Sequence, residues 1–380
     1  MSNNIRLVFA GDFCSIAPAK IEVSKELSLI FENSDLNILN LEGTLNSNEL
    51  CTANKVLLKQ SEQSIEWCKN NRFSLVSLAN NHSFDFGQSG LVRTMNVLKE
   101  KGVDYVGAGC WEEAYRIKII EIKGKKIGFY AATSRDLAAL KDRMYDGDKV
   151  GCAWINHPDT RRTILKYRRE CDFLFILPHA GVEYMDIPLP EWRDVYKELL
   201  DLGADGIFAS HPHVPQGVED YEGKPIFYSL GNFFFEGSGD IDAPKPQYWN
   251  TGQLAVVDIT EVGIQCSTII TKREKYKLGI ESSPVFKEHI KNINELLNNR
   301  EKYDQALQEN VLRFYGKYKS WLLLGLNAYE AKFSVRNLIR IIKGFLCRKP
   351  NERSAMHQLR EESTAWIIQR AFKIRTNTQL

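Results

Sequence analysis

The sequence predicts a layered α/β fold with a helical C-terminal extension. Three observations carry that expectation. Short apolar runs of strand character recur through the first 260 residues. Amphipathic helix patterns, each closed by a glycine, lie between them. After about residue 280 the strand signals stop and the chain reads as helix.

The first run, IRLVFAG (5–11), is followed by LNILNLEG (36–43), FSLVSLA (73–79), VDYVGAG (103–109) and KIGFYAA (126–132). DFLFILPHAG (172–181), DGIFAS (205–210), KPIFYSLG (224–231) and GQLAVVDIT (252–260) continue the series. Several are apolar throughout, as strands covered on both faces are. SGLVRTMNVLKEKG (89–102) and EWRDVYKELLDLG (191–203) have the helical period, and Gly102 and Gly203 supply residues that end a helix. No internal repeat is present. These patterns place an α/β domain at 1–275 and a basic helical extension at 276–380.

The chain has 380 residues, 43% hydrophobic and 26% charged, with no low-complexity tract, which is the composition of an ordinary soluble globular protein. Its start, MSNNIRLVFAGD, enters a strand pattern without the basic and apolar regions of a secretory signal. No apolar run reaches the roughly 18–20 residues of a membrane span. The expected location is therefore the cytoplasm. The eight cysteines (14, 51, 68, 110, 152, 171, 266 and 347) contain no C-x-x-C pair and read as buried small hydrophobes. The net charge of +2 is unevenly spread: residues 311–380 hold 14 Lys and Arg against 4 Glu, a net +10, leaving −8 on the first 310. An acidic body with a basic tail points to an anionic contact for the tail.

Polar residues gather where the apolar runs end, the positions an α/β fold uses for ligands. Asp12 follows LVFAG, Glu42 follows NILNL, and Asn80, Asn81 and His82 follow LVSLA. His179 follows FLFILP, and His211 and His213 follow GIFAS. Four of the seven histidines sit at such ends. Each residue alone admits a plainer role. An Asp after a strand is a common turn former, Asn-Asn-His could form an Asx-turn, and His-Pro-His could be an extended turn. Five apolar strands that each end in a potential metal ligand point instead to one metal site.

GDFCS (11–15), NLEGTL (40–45), SLANNHSFDFG (77–87), LPHAGVEY (177–184), ASHPHVPQGVE (209–219) and YSLGNFFF (228–235) resemble, in this order, the CapA-like poly-γ-glutamate capsule synthesis proteins. That family is related to the calcineurin-like metallophosphoesterases. The resemblance covers roughly residues 5–260 and implies a four-layer αββα sandwich with its active site where the strand-end loops meet. It implies two divalent metal ions. Asp12 would bind the first, Glu42 would bridge both, Asn81, His179 and His211 would bind the second, and His213 would return to the first. Pro212 would hold the two imidazoles apart so that each reaches a different ion.

Carboxylate, amide and imidazole ligands suit Mn, Fe or Zn better than Ca. Two such ions about 3.5–4 Å apart can hold a bridging hydroxide and clamp a phosphoryl group. His82 would act as acid or electrostatic stabiliser at the leaving oxygen, with Asp85 as its orienting partner. Two departures stand out. Metallophosphoesterases usually begin Asp-x-His, whereas here the third position is Cys14, either a thiolate ligand or a packed side chain. Their Gly-Asn-His-Asp/Glu becomes Ala-Asn-Asn-His-Ser-Phe-Asp, which displaces the carboxylate.

The expected function is a metal-dependent phosphoesterase-like hydrolase in capsule, exopolysaccharide or poly-γ-glutamate production, acting on a phosphorylated or polymeric substrate. The alternative is a non-hydrolytic accessory or binding protein of a membrane-associated polymer synthesis or export machinery. No GxxxxGK[ST] loop is present, so ATP-driven ligation is not expected of this chain alone. Residues 332–347, KFSVRNLIRIIKGFLC, form a basic amphipathic helix pattern stopped by Arg348, Lys349 and Pro350. It reads either as a helix docked on its own domain or, through 332–349, as a peripheral contact with an anionic membrane or a membrane synthase. Aromatic–basic interleaving is lacking, so no nucleic acid partner is expected.

Overall fold

Phe9 and Phe208 stack with ring centroids 3.8 Å apart and planes inclined by 12°. They come from two different sheets, and their contact marks the centre of the core. A computed structural model describes residues 4–49, 56–236, 247–324 and 361–376. The described residues up to Leu297, Val56 excepted, form one compact unit, and those from Asn298 onward belong to a second.

The larger sheet of the first unit has nine strands. Its order runs Glu22–Val23, Lys277–Ile280, Gly263–Glu274, Thr251–Thr260, Ile5–Cys14, Leu36–Leu41, Phe73–Ser77 and Asp104–Val106. Asn232–Phe235 pairs in parallel with the end of Ile5–Cys14, where Thr251–Thr260 no longer reaches. The second sheet has six strands, in the order Val218–Tyr221, Lys224–Phe227, Gly206–Phe208, Phe173–His179, Lys125–Thr133 and Lys118–Ile122. The strands that dominate both centres are parallel and buried almost throughout, which is why they read as continuous apolar runs.

Alternation along the strands assigns the layers. Phe129 and Phe175 pack with Phe9 between the sheets. Tyr130, the next residue, turns outward, and its hydroxyl lies 2.9 Å from Thr160 Oγ1 on the helix Pro158–Tyr167. Tyr196 of the helix Pro190–Asp201 stacks on Tyr228 on the same side. Across the larger sheet, Trp67 of the helix Glu62–Asn70 stacks on Phe13, and Phe31 of Lys25–Glu32 packs on Phe73 and Phe233. Helix, sheet, sheet and helix make the four-layer αββα sandwich that the family resemblance implied.

Phe9 and Phe13 would share a face in an unbroken strand, yet one meets the second sheet and the other a helix. The register shift between Phe9 and Asp12 breaks the alternation, as bulges beside functional sites do. Gly11 occupies the break. A Cβ there would lie 1.9 Å from the Gly231 carbonyl oxygen, so only glycine lets these two backbones meet.

Both sequence-predicted helices are present, as Gly87–Lys101 and Pro190–Asp201, and Gly102 closes the first in the left-handed conformation at φ 71°. Helices follow the last strand, at Pro284–Leu297 in the first unit and at Arg300–Leu324 and Glu362–Thr376 in the second. In the second unit Tyr315 meets Phe372 edge-on at 5.7 Å. The division at 275/276 expected from the sequence falls in the turn between Gly263–Glu274 and Lys277–Ile280. The predicted helix at 332–347 lies outside the described residues. Among those described, no helix is long and apolar enough to cross a membrane. Cys14, Cys68, Cys152 and Cys171 are buried as expected, whereas Cys110 is half-buried and Cys266 exposed.

Candidate metal centre

The carboxyl ends of the central strands deliver their polar residues to one place. Asp12 sits near the end of Ile5–Cys14, Glu42 directly after Leu36–Leu41, and Asn81 and His82 after Phe73–Ser77. From the other sheet come His179, last residue of its strand, and His211 and His213 after Gly206–Phe208. Every one of them is buried.

Two groupings share Glu42. Asp12, Glu42 and His213 each offer one ligand atom within 4.8 Å of the others, a buried set able to hold a metal ion. His213 Nδ1 is 3.4 Å from Asp12 Oδ2, and its Nε2 is 3.6 Å from Glu42 Oε1. In the second grouping His179 Nε2 lies 2.9 Å from Asn81 Oδ1, 3.2 Å from His211 Nδ1 and 3.9 Å from the same Glu42 Oε1. His82 Nε2 approaches that oxygen as well, at 3.8 Å, while its Nδ1 makes a 2.6 Å contact with Asp85 Oδ2. Asp85 is fixed in turn by the Leu58 amide, which donates to Oδ2 at 2.7 Å.

The two histidines around Pro212 face different parts of this cage, His211 toward His179 and His213 toward Glu42. Their backbones bear the cost. His211 has φ 103° and His213 φ 59°, conformations that cost about 1–3 kcal/mol each and persist only where the surroundings impose them. The surroundings do impose them. Pro212 is seated over Gly181, where a Cβ would meet its Cγ at 2.7 Å, and Tyr184 N donates to Pro212 O at 2.8 Å.

Charge separates the same two residues. Burial pushes the His211 imidazole down to about 4, so it stays neutral. Burial opposes charge on His213 too, but Glu42 and Asp12 outweigh it and push the imidazole up to about 10. Cys14 is not part of the buried Asp12, Glu42 and His213 cluster. Burial, with Glu42 adding to it, drives its thiol well above the ordinary range, and the side chain packs among Leu58, Phe235 and Trp249. Of the two roles left open by the sequence, packing fits the structure.

Four residues at the centre were not singled out from the sequence. Asn40 Nδ2 donates to Asp12 Oδ1 at 2.8 Å and lies 3.3 Å from His179 Nδ1, tying the two sheets together. Asn232 Oδ1 lies 3.0 Å from His213 Nδ1 and orients that ring. Tyr184, at φ 66°, stacks its ring on His213 with centroids 6.2 Å apart and planes inclined by 27°. Glu183 is half-buried, and although burial disfavours its charge, His213, His211 and His82 hold it below the usual carboxylate range. The available signals were a polar residue inside the all-buried strand LNILNL and the polar break in SLGNFFF.

The chain is 30% identical over 216 residues to the capsule biosynthesis protein CapA of Bacillus anthracis, covering 55% of this chain and 52% of that protein. It is 30% identical over 214 residues to the PGA biosynthesis protein CapA of Bacillus subtilis (strain 168), covering 54% and 55%. The aligned chain thus spans about half the length of these curated relatives. Among solved structures, a putative 5'-nucleotidase from Staphylococcus aureus in complex with alpha-ketoglutarate aligns with a TM-score of 0.47 at 12% identity, covering 70% of this chain and 54% of that one. A family model described as bacterial capsule synthesis protein PGA_cap matches residues 10–237, a span that holds all of the cage residues together with His82 and Asp85. By that match the chain belongs to the PGA_cap family of bacterial capsule synthesis proteins.

Proposed function

We propose that the chain is a metal-dependent phosphoester hydrolase serving the production of a bacterial capsule or poly-γ-glutamate polymer. The observation that carries this reading is the convergence of three imidazoles on one carboxylate oxygen. Nε2 of His213, His82 and His179 lies 3.6, 3.8 and 3.9 Å from Glu42 Oε1. Those separations exceed hydrogen-bond lengths and suit ligands and a catalytic group arranged around shared cations.

The donor set fits two ions. Ligands about 2.0–2.2 Å from one ion stand about 3 Å or slightly more from each other. Asn81 Oδ1, His179 Nε2 and His211 Nδ1 have that spacing, at 2.9 and 3.2 Å. Asp12 and His213 would hold the other ion and Glu42 would bridge. Mixed oxygen and imidazole donors favour Mn, Fe or Zn. Such ions supply Lewis acidity toward water and toward a phosphoryl group.

The remaining work falls to side chains of this chain. Asn232 would fix the His213 tautomer by accepting a hydrogen bond from Nδ1–H at its Oδ1, which leaves Nε2 as the ligand atom. Asn40 keeps Asp12 in place from the neighbouring strand. Asp85 accepts from His82 Nδ1 and stabilises the protonated ring, so that Nε2 can hand a proton to the departing oxygen. Burial of the cage excludes bulk water.

A second reading is favoured by Cys14. With a packed side chain where metallophosphoesterases carry a ligand, the Asp12 side has fewer donors, and a chain holding one ion would serve as a non-hydrolytic accessory. Metal content measured beside turnover of a generic phosphodiester separates them. Two ions with turnover support the hydrolase, and no more than one ion without turnover supports the accessory. Polymer binding, and membrane or synthase contact through 332–349, remain proposals for either reading.

A further inference from the structure

The loops that build the cage are poor partners for an anion. Segments 42–49, 78–86, 180–189 and 209–217 contain no Lys or Arg, while they carry Glu42, Glu49, Asp85, Glu183 and Asp186. A phosphorylated substrate needs donors for the oxygens that do not face the cage.

The adjoining strand end supplies one. Thr133 ends the strand Lys125–Thr133 in parallel register with His179. The next residue, Ser134, donates its amide to the His179 carbonyl at 3.0 Å. Asp136, buried, accepts from Thr133 Oγ1 at 3.0 Å and from the Ala138 amide at 2.7 Å. Arg135 therefore sits between two pinned neighbours, one of them bonded to a cage residue, and its own side chain is exposed. The guanidinium carbon lies 5.6 Å from the Trp154 ring centroid, within cation–π range. Trp154 itself bridges to Thr133. A long, flexible cation is thus held against Trp154, two residues beyond the strand position that pairs with His179.

We infer that Arg135 binds the substrate: its guanidinium clamps non-bridging oxygens of the phosphoryl group presented to the cage, and Trp154 is its positioning residue. The inference rests on the hydrolase reading above. A planar guanidinium suits this task because it offers parallel N–H donors to two oxygens, which an ammonium cannot.

The test uses the full chain loaded with Mn, with inorganic phosphate as the probe and binding measured by calorimetry. Arg135→Ala should weaken phosphate about 10–100-fold, the range for charged hydrogen bonds. Arg135→Lys should recover only part of that loss. With a generic phosphodiester, Arg135→Ala should raise KM more than it lowers kcat, a split that a folding defect would not give. Metal content, measured in the same samples, tests the hydrolase reading on its own. Phosphate affinity within about twofold of wild type in Arg135→Ala, with metal in place, overturns the clamp alone. A wild-type chain that holds its metal yet takes up no phosphate overturns it too.

Discussion

His179 Nε2 and Asn81 Oδ1 meet at 2.9 Å although one ends a strand of the six-stranded sheet and the other follows a strand of the nine-stranded sheet. The contact closes the seam between the sheets with two potential ligand atoms. It makes the centre a product of the sandwich itself, because neither sheet alone carries a complete set.

His82 separates chemistry from binding. Its replacement by Ala should keep the metal content and lower turnover about 10²–10⁴-fold, the usual contribution of an acid–base group. Asp85→Asn should fall between the two, since the ring keeps a partner but loses the charge that stabilises its protonated form. Turnover of His82→Ala equal to wild type would remove the residue from the mechanism.

Asn232 is expected to matter through His213 rather than by contact with substrate. Asn232→Ala should lower metal affinity about 10–100-fold, as loss of a ligand's orienting partner does, while the fold persists. Titration with a competing chelator reads this directly. Unchanged affinity would mean that the Asn232 contact is only packing.

Away from the centre, Glu219 gathers Arg193, Lys197 and the Tyr228 hydroxyl at 2.9, 2.6 and 2.7 Å. Burial opposes its charge, but these donors win and hold the carboxyl below its ordinary value. A depressed carboxylate stabilises the fold above its unfolded pKa, and that contribution is lost as pH falls through the folded value. Glu219→Gln should cost about 2–4 kcal/mol at neutral pH by leaving Arg193 half-compensated. The gap between the two proteins should narrow in acid. Denaturant melts at pH 7 and pH 4 check both parts, and a gap that widens in acid would contradict the sign.

The basic pattern at 332–347 gives a separate expectation for the tail. If it contacts an anionic surface, the full chain should co-sediment with anionic vesicles and not neutral ones, with binding weakened by salt. Each Lys or Arg at such a surface contributes about 1 kcal/mol, so replacing Lys332, Arg336, Arg340 and Lys343 together by Gln should abolish sedimentation. Equal sedimentation of the two chains would remove the anchor.

The α/β layering was legible because the central strands are buried on both faces and announce themselves as apolar runs, each stopping at a polar ligand type, whereas the four-layer sandwich was implied only by the family resemblance. Gly263–Glu274 was not legible in the same way. It lies toward the sheet edge with much of its length exposed, so QCSTIITKRE shows no apolar run. Asn40 was hidden for the opposite reason, as a polar residue in a buried strand whose partner, Asp12, is adjacent only after pairing. The strain at His211 and His213 was equally out of reach, since it is imposed by Gly181 and Tyr184 from another strand end.

The dinuclear reading is tested most directly by counting metal. Elemental analysis of the full chain, reconstituted with Mn or Zn and dialysed, should give two ions per chain, falling in His211→Ala and Glu42→Gln while generic phosphodiester turnover falls with it. No more than one ion per chain, with no turnover and no change in these variants, would contradict it.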